Sequence, residues 1–481
     1  HKEQTLPYDK YDVKSIVEYA QKLVGSTLRE HINVDSIADP HRRKGSFGNA
    51  LEEDYFLLAI NSDPRPDFHE VDLELKSTPL KRVRGNELVA KERLVITMVS
   101  YPTVVNETFE TSHLAKKASD MLLISYLWEA GKDPLDYIVE YAGRWGLPEE
   151  DMPQFKADWE TVVAKVRAGH AEDISSSDTL YLEACTKSAD SSKRTPQPFS
   201  DVPAKPRAWA LKASYMTAVS GKLLESMEPI RRAAEERSLD LLGLVRKRFE
   251  PYLGKTEGEL AAAAGYTWPE GHAPKAITAL VTKRILGVDE GSRIAEFEKA
   301  GVKPKTIRLK GNGVPKEAVS FPAFDYVKLA ETDFEDSDFY GYLQQRYLFV
   351  IYREGEDGRY RLSQVAFWQM PDADVEEARR CYEEMRRRVR DGRADESVKS
   401  TENRCCHVRP HGRDSRDTCM TPYGVPVVKK CFWLNQSYLA GEIDKLRCPL
   451  GILASAFAEC GHLVSIGNVT DRPRLFSERN D

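Results

Sequence analysis

Apolar and polar residues alternate through Val71-Asp72-Leu73-Glu74-Leu75-Lys76, the two-residue period of a half-buried strand, after a turn at Pro64-Arg65-Pro66-Asp67. Upstream, Val13, Ile16, Val17, Ala20, Leu23 and Val24 recur at helical spacing and predict an amphipathic helix within residues 11–30. A basic turn, His41 to Lys44, precedes a second helix over 44–57, whose apolar face is Phe47, Leu51, Tyr55 and Leu58. Leu94–Val99 and Met121–Trp128 read as buried strands. Phe155, Trp159, Val162, Val163 and Val166 make one face of a helix ending at Gly169. Tyr181–Lys187 is extended, a polar loop follows, and Trp209–Met216 returns to a strand-like run.

Chemistry concentrates on the first of these strands. Alternation places Glu74 and Lys76 on one face, roughly 7 Å apart. Asp67, at the turn, can fold back beside Glu74, and Glu52 or Glu53 on the second helix can supply a third carboxylate. Two carboxylates hold a hard divalent cation through oxygen, and a neighbouring lysine can orient or help deprotonate a water. That is equipment for phosphodiester hydrolysis. The literal Pro66-Asp67…Glu74-Leu75-Lys76 resembles the PD-(D/E)xK nuclease motif. Each piece alone also suits a solvated edge strand or helix in a chain that is 30% charged.

Composition narrows the partners. The 481 residues suffice for two or three domains, and 41% hydrophobic content supports a sizeable core. A formal net charge of −6 gives no global basic field, so a nucleic acid would have to meet local patches. One such patch runs from Lys187 to Lys222: Lys187, Lys193, Arg194, Lys205, Arg207, Lys212 and Lys222 face two aspartates. It suits phosphate contact and base reading, and a solvated linker is the plainer alternative. No charged-then-apolar signal segment opens the sequence, and Gly451–Gly467 is too short to span a bilayer. Of eight cysteines, Cys405, Cys406, Cys419 and Cys431 cluster near His407 and His411 without a CxxC pair, so reduced thiols are expected rather than zinc.

The second half repeats the first. Val166–Asp173 matches Val389–Glu396, and Trp209–Tyr215 matches Phe432–Tyr438, both at an offset of 223. Leu182–Ser191 matches the stretch from His407 to Ser415. The key strand matches Val302-Lys303-Pro304-Lys305-Thr306-Ile307 at an offset of 229, which puts Lys303 at the Glu74 position and Glu296 at the Asp67 position. The helix matching 44–57 falls near Pro274–Leu286 and has no acidic residue. A cation site needs several oxygens, so the second lobe is expected to hold no catalytic metal. Its basic segment retains His407, Arg409, His411, Arg413 and Arg416 for DNA contact.

Joint landmarks carry a family resemblance. Gly48…Glu52, Asp67…Glu74-Leu75-Lys76-Ser77-Thr78-Pro79, Glu110-Thr111-Ser112-His113 with Lys117, Asp158-Trp159-Glu160, and Tyr181-Leu182 with Lys187 resemble MutH, the strand-nicking GATC endonuclease of mismatch repair. The whole chain is similar to the Sau-type restriction endonucleases that cut at GATC, through Cys185-Thr186-Lys187, Leu211-Lys212, Tyr215-Met216-Thr217 and Cys406-His407-Val408-Arg409-Pro410-His411. The resemblance implies an α/β fold of two tandem MutH-like restriction-endonuclease units, each a mixed sheet flanked by helices. The expected division is a catalytic domain over 1–225, a linker over 226–240, a degenerate DNA-binding effector domain over 241–446, and a tail over 447–481.

The same resemblance implies Mg2+-dependent hydrolysis of both strands of double-stranded GATC DNA, leaving 5′-phosphates. Asp67 and Glu74 would ligate the metal, Lys76 would act on the water, and Lys117 matches an additional active-site lysine. The family's helix glutamate falls on Glu52, and one extra residue before Asp67 keeps Glu53 a rival. DNA contacts are expected from Lys187, Lys193, Arg194, Arg207, Lys212, Arg409, His411 and Arg413. The second lobe would bind a second site and stimulate cutting, with a transient dimer on DNA as a further expectation and a bacterial cytoplasm as the setting. The competing readings are a methyl-directed mismatch-repair nickase and a DNA-binding regulator without catalysis.

Overall fold

The computed structural model describes residues 6–32, 47–58, 65–83, 86–188, 190, 192–220, 227–268, 274 and 276–446. The basic turn at His41, the start of the second helix, the apolar stretch Gly451–Gly467 and the whole 447–481 tail lie outside them. The chain is a mixed α/β protein with several separate sheets. Among the described residues no helix is long and apolar enough to cross a membrane.

Helix α1 (Val13–Gln21) starts where the Asp12 carboxylate accepts the Lys14 N–H at 3.0 Å, and it buries Ile16 and Ala20. It is shorter than its apolar pattern predicts, because the chain turns through Gly25 at φ +82°. Helix α2 (Phe47–Ala50) runs into a π turn, Leu51–Tyr55. Strand β1 (Glu74–Arg82) follows, with β2 (Leu88–Ala90), β3 (Leu94–Met98), α3 (Tyr101–Val104), α4 (His113–Ala118), β4 (Met121–Leu127), β5 (Ile138–Trp145) and α5 (Met152–Arg167). The half ends with β6 (Leu182–Thr186), β7 (Thr195–Gln197), β8 (Ser200–Ala204), β9 (Arg207–Leu211) and α6 (Ala213–Val219).

One sheet has the order β2-β1-β4-β5, and another the order β3-β9-β6. β1 runs parallel to β4 and antiparallel to β2, so it is interior and buried on both faces. Two sequence expectations change here. The strand begins at Glu74 rather than Val71, because Val71–Leu73 belong to the preceding turn. The expected strand over Trp209–Met216 divides at Lys212 into β9 and α6.

In the second half, β10 (Met227–Glu228), α7 (Leu241–Phe249), α8 (Glu257–Ala263), α9 (Ile277–Leu286), β11 (Arg293–Ile294) and α10 (Ala295–Ala300) lead to β12 (Val302–Leu309). Then come α11 (Tyr326–Glu331), α12 (Asp338–Leu343), β13 (Arg346–Glu354), β14 (Tyr360–Trp368), α13 (Asp372–Arg390), β15 (Cys406–Pro410), β16 (Thr418–Met420), β17 (Pro426–Val428), β18 (Lys430–Leu434) and α14 (Gln436–Lys445). The parallel β12–β13 and antiparallel β13–β14 pairs parallel the β1–β4 and β4–β5 pairs.

Individual hydrogen bonds recur between the halves. The Tyr101 hydroxyl donates to Lys205 O at 2.6 Å, and that of Tyr326 to Val428 O at 2.6 Å. Tyr215 donates to Asp151 at 2.8 Å, and Tyr438 to Asp374 at 2.8 Å. Ser112 and Ser337 cap α4 and α12 with the same pair of bonds.

The halves share an interior. One apolar cluster joins β3, α5 and β9 to α7, α9 and β13. The buried Arg346 guanidinium donates to the carbonyls of Ser177 and Thr179 and to Gln369 Oε1. Asp372 accepts from Ser176 N and Oγ, at 3.1 and 2.6 Å. Lys299 Nζ reaches Asp151 at 2.7 Å. Residues 227–240, expected as a linker, are anchored too: Ile230 N–H donates to the Glu296 carboxylate at 3.1 Å, and Arg248 pairs with Glu236 at 2.8 Å.

Candidate active site

The turn before β1 makes the site. Phe68 and Leu73 exchange backbone hydrogen bonds of 3.0 and 3.2 Å, and Asp72 takes φ +53°, so the chain folds back sharply. Phe68 is buried and packs edge-on against Phe56, which pins the turn. The result brings Asp67 alongside β1, where its Oδ2 accepts the Leu75 N–H at 2.9 Å.

Glu74 is 2% exposed and sits where β1 enters the sheet beside β4. Its Oε1 accepts Lys76 Nζ at 2.7 Å and Lys117 Nζ at 3.2 Å. Lys76 comes from the same strand; Lys117 comes from α4, oriented by the Ser112 cap. Glu52 joins from the π turn. Burial pushes its carboxyl up, Asp67 and Glu74 add to the rise, and Lys76 opposes it. Asp67 is likewise pushed up by burial and then by Glu74, against the Leu75 N–H and both lysines. The charges acting on Glu52 are those of Asp67, Lys76 and Glu74, together with its neighbour Glu53, which places it near the cluster. A π turn is a frequent device at functional sites because its wider loop redirects side chains.

The cluster suits a divalent ion. Glu74 Oε2 is buried without a hydrogen-bond partner, an arrangement costing about 1–3 kcal/mol unless something occupies that oxygen. The oxygens of Glu52, Asp67 and Glu74 are hard donors of the type Mg2+ takes. They are more widely spread than the exposed trio His170, Glu172 and Asp173, whose ligand atoms lie within 4.8 Å of one another. Exposed acidic groups commonly hold no ion, and Glu172 of that trio already accepts from Gln197 at 2.6 Å.

The raised carboxyls have a thermal consequence. A folded pKa above the unfolded value favours the folded state at acid pH and loses that benefit as pH rises through the folded pKa. At pH 7.5 without divalent ions, Glu52→Gln is therefore expected to raise the melting midpoint above wild type. Added Mg2+ should then raise the wild-type midpoint more than that of the variant. Differential scanning calorimetry of both, with Mg2+ and with EDTA, measures this.

The matching segment of the second half is differently furnished. Lys303 is exposed, and Lys305 is shielded beside the Tyr347 ring at 5.6 Å, its ammonium pKa lowered by burial. Glu296 lies on α10, with both oxygens committed to Ile230 N–H. Helix α9 presents no carboxylate, and its Thr278 hydroxyl bonds Thr306.

The expected DNA-contact residues divide. Lys187, Lys193 and Arg194 are exposed on the segment after β6. Arg409 is exposed with its guanidinium 4.3 Å over Trp433, and His411 stands edge-on to the same ring. Arg413 is exposed near Asp417 at 3.6 Å. Arg207 and Lys212 depart from expectation. Arg207 is buried and donates to Ala184 O at 2.6 Å and to Ile174 O. Lys212 is buried, donates to Ser176 O and Thr179 O at 2.5 and 2.7 Å, and has its pKa lowered by burial, then by Arg346, to about 7. Their charges are spent on backbone carbonyls rather than offered to a phosphate. His407 is buried as well, with Nδ1 2.6 Å from Asn435 Oδ1. Arg346 and Asp372, which grip the loop leading into β6, carried no sequence signal, since nothing local marks a cation that serves carbonyls about 170 residues away.

Comparison with known proteins places the chain among DNA-processing relatives. Residues 56–158 fit the family model described as DNA mismatch repair enzyme MutH. The chain is 28% identical to the type II restriction enzyme Sau3AI of Staphylococcus aureus over 89% of its own length and 97% of that enzyme. It is 28% identical to the mismatch repair protein MutH of Vibrio vulnificus over 37% of this chain and 78% of that protein. It is 27% identical to MutH of Serratia proteamaculans over 44% of this chain and 94% of that protein.

Proposed function

This chain is a homologue of the Sau3AI restriction enzyme with a MutH-family domain in its N-terminal half, a DNA-hydrolysing enzyme, and we propose that it cleaves both strands of double-stranded DNA at GATC with Mg2+, leaving 5′-phosphates. The observation that carries this reading is the convergence of Glu52, Asp67, Glu74, Lys76 and Lys117, with one buried Glu74 oxygen left unpartnered. Similarity along nearly all of the Staphylococcus enzyme favours a restriction enzyme over a repair nickase, since MutH matches cover less than half of this chain.

Asp67 and Glu74 would hold the ion, with Glu52 as a third oxygen donor. When bound, Mg2+ supplies positive charge against the phosphate and makes water a stronger nucleophile. Lys76 holds Glu74 in place and orients the attacking water. Lys117 fixes the same carboxylate oxygen and adds positive charge that offsets the charge developing on the phosphate. Exposed Lys187, Lys193 and Arg194 contact the DNA, while Arg207 and Lys212 brace the segments from which those contacts project.

The second half is read as a tandem MutH-like unit that binds a second GATC site and stimulates cutting. Support comes from the recurring strand pairs and hydrogen bonds, and from a matching segment that carries Lys303 and Lys305 where the first half has Glu74 and Lys76. Arg409, His411 and Arg413 are its DNA contacts.

Digestion of an unmethylated GATC plasmid with Mg2+ tests the proposal. The expected product is a limit ladder ending at GATC. Nicked circles that need repair proteins would support the repair reading, and binding without cleavage would overturn both enzyme readings. Glu52→Gln should lower the cleavage rate by about a hundredfold, and Glu53→Gln by no more than about threefold. Equal losses would return the choice of helix carboxylate to open.

A further inference from the structure

We propose that the β7–β8 hairpin is a wedge whose tip residue, Phe199, enters a groove of the DNA and unstacks a base step. The proposal rests on the reading of this chain as a binder of duplex DNA and adds a residue to it. Phe199 is 73% exposed, a large apolar side chain at the end of a two-stranded projection. Its backbone is at φ +66°, a conformation that costs a residue with a side chain about 1–2 kcal/mol and that hairpin turns normally give to Gly or Asn.

The tip is braced. Gln197 is buried beneath it: its Oε1 accepts Ala171 N at 2.8 Å, and its Nε2 donates to Val202 O and Glu172 Oε2, each at 2.6 Å. The carbonyl of Phe199 rests on Gly169, where an added Cβ would lie 2.6 Å from that oxygen. Gly169, itself at φ +76°, ends the turn after α5, so helix and hairpin tip are fitted together. A strained, exposed phenyl on a fixed support is poorly explained as packing, since it packs little and its conformation opposes folding.

The cations sit on the strand-flanking chain, where they can meet a duplex backbone beside the tip. Lys187, Lys193, Arg194 and Lys205 are exposed on the flanking chain, against Asp190 and Asp201 there and against Glu172 and Asp173 on the turn that Gln197 holds. An apolar point with cations on the chain that flanks it fits a phosphate-walled groove, where apolar side chains unstack base steps while cations hold the backbone. The second half has a corresponding hairpin, β16–β17, beside Gly392. Its Tyr423 is also exposed, at 62%, but the hydroxyl donates to Arg390 O. The first half thus presents its aromatic tip without such a tether on its ring.

The test uses full-length protein, Ca2+ in place of Mg2+, and a GATC duplex carrying 2-aminopurine in turn at each position in and beside the site. Wild type is expected to shift the duplex and raise the fluorescence at one step. Phe199→Gly should fold at least as stably, because it relieves the positive φ, yet lose the fluorescence rise and bind about tenfold more weakly. Phe199→Leu should keep part of both. Unchanged fluorescence and affinity in Phe199→Gly overturn the wedge, as does loss of a dimer in that variant with fluorescence intact, which would make the tip a self-interface. Wild type that shifts the duplex without any fluorescence rise overturns the wedge alone. Wild type that binds no duplex overturns the parent reading along with it.

Discussion

Glu74→Gln is expected to cut GATC DNA at least about a thousandfold more slowly than wild type, with duplex affinity in Ca2+ changed less than about threefold. The magnitude follows from loss of the metal ligand proposed for Glu74, worth about 4 kcal/mol of transition-state stabilisation, at a tenfold rate change for each 1.4 kcal/mol. Gln keeps the volume at this buried position, so packing against the β1–β4 pair survives. What disappears is the negative charge that faces both lysines and offers the unpartnered Oε2. Lys76 and Lys117 are each about one-fifth exposed, so water can take over their solvation. Binding is spared because the proposed contacts, Lys187, Lys193 and Arg194, sit on another segment. Single-turnover cleavage and gel shift on the same duplex read both quantities. A Gln variant that cuts at the wild-type rate would remove Glu74 from the mechanism.

Asp158→Ala is expected to destabilise the protein by about 4 kcal/mol or more. The carboxylate is 2% exposed and satisfies four donors: Leu180 N at 2.9 Å, Tyr181 N at 2.7 Å, Leu182 N at 2.9 Å and Gln154 Nε2 at 2.8 Å. Truncation leaves those donors buried without partners, at about 1–3 kcal/mol each before relaxation. Against a total stability of about 5–15 kcal/mol, that is a large fraction. The damage would spread, because Gln154 Oε1 also accepts the Leu241 N–H and so ties α5 to α7. Asp158→Asn keeps an acceptor oxygen and should fall between. Urea unfolding at pH 7.5 measures all three; an Ala variant within about 0.5 kcal/mol of wild type would refute the account.

The second half solves the same problem with other residues. Cys381 occupies the helix position that Asp158 holds at the 223-residue offset, and Asn403 Oδ1 accepts Cys405 N and Cys406 N at 3.0 and 2.9 Å from within the loop. Lys212, donating to loop carbonyls, corresponds to Asn435, whose Nδ2 donates to Asn403 O at 2.7 Å. If the halves are the tandem units proposed above, such exchanges of donor and acceptor make a residue-by-residue match between them faint in sequence.

Sequence alone determined what depends on short chain separation. Glu74 and Lys76 are two residues apart on a strand, so their pairing follows from strand geometry, and Asp67 needs only one turn to reach Leu75 N. Helix α5 was equally legible, because its apolar face repeats over four turns. The strand boundary at Glu74 was not, since alternation does not distinguish a turn holding Asp72 at positive φ from extended chain.

Tertiary structure decided how the rest come together. Lys117 reaches Glu74 across 43 residues through the parallel β1–β4 pairing and the capped α4. The place of Glu52 in the cluster depends on a π turn, whose extra residue breaks the 3.6-residue phase from which a helix face is read. The basic segment looked uniform in sequence, yet Arg207 and Lys212 turn inward while Lys187, Lys193 and Arg194 face out. The physical reason is that burying a cation is favourable only where fixed oxygens await it, and the carbonyls of Ile174, Ser176 and Thr179 before β6 and of Ala184 within it are delivered by chain 23 to 36 residues away, which no local pattern encodes.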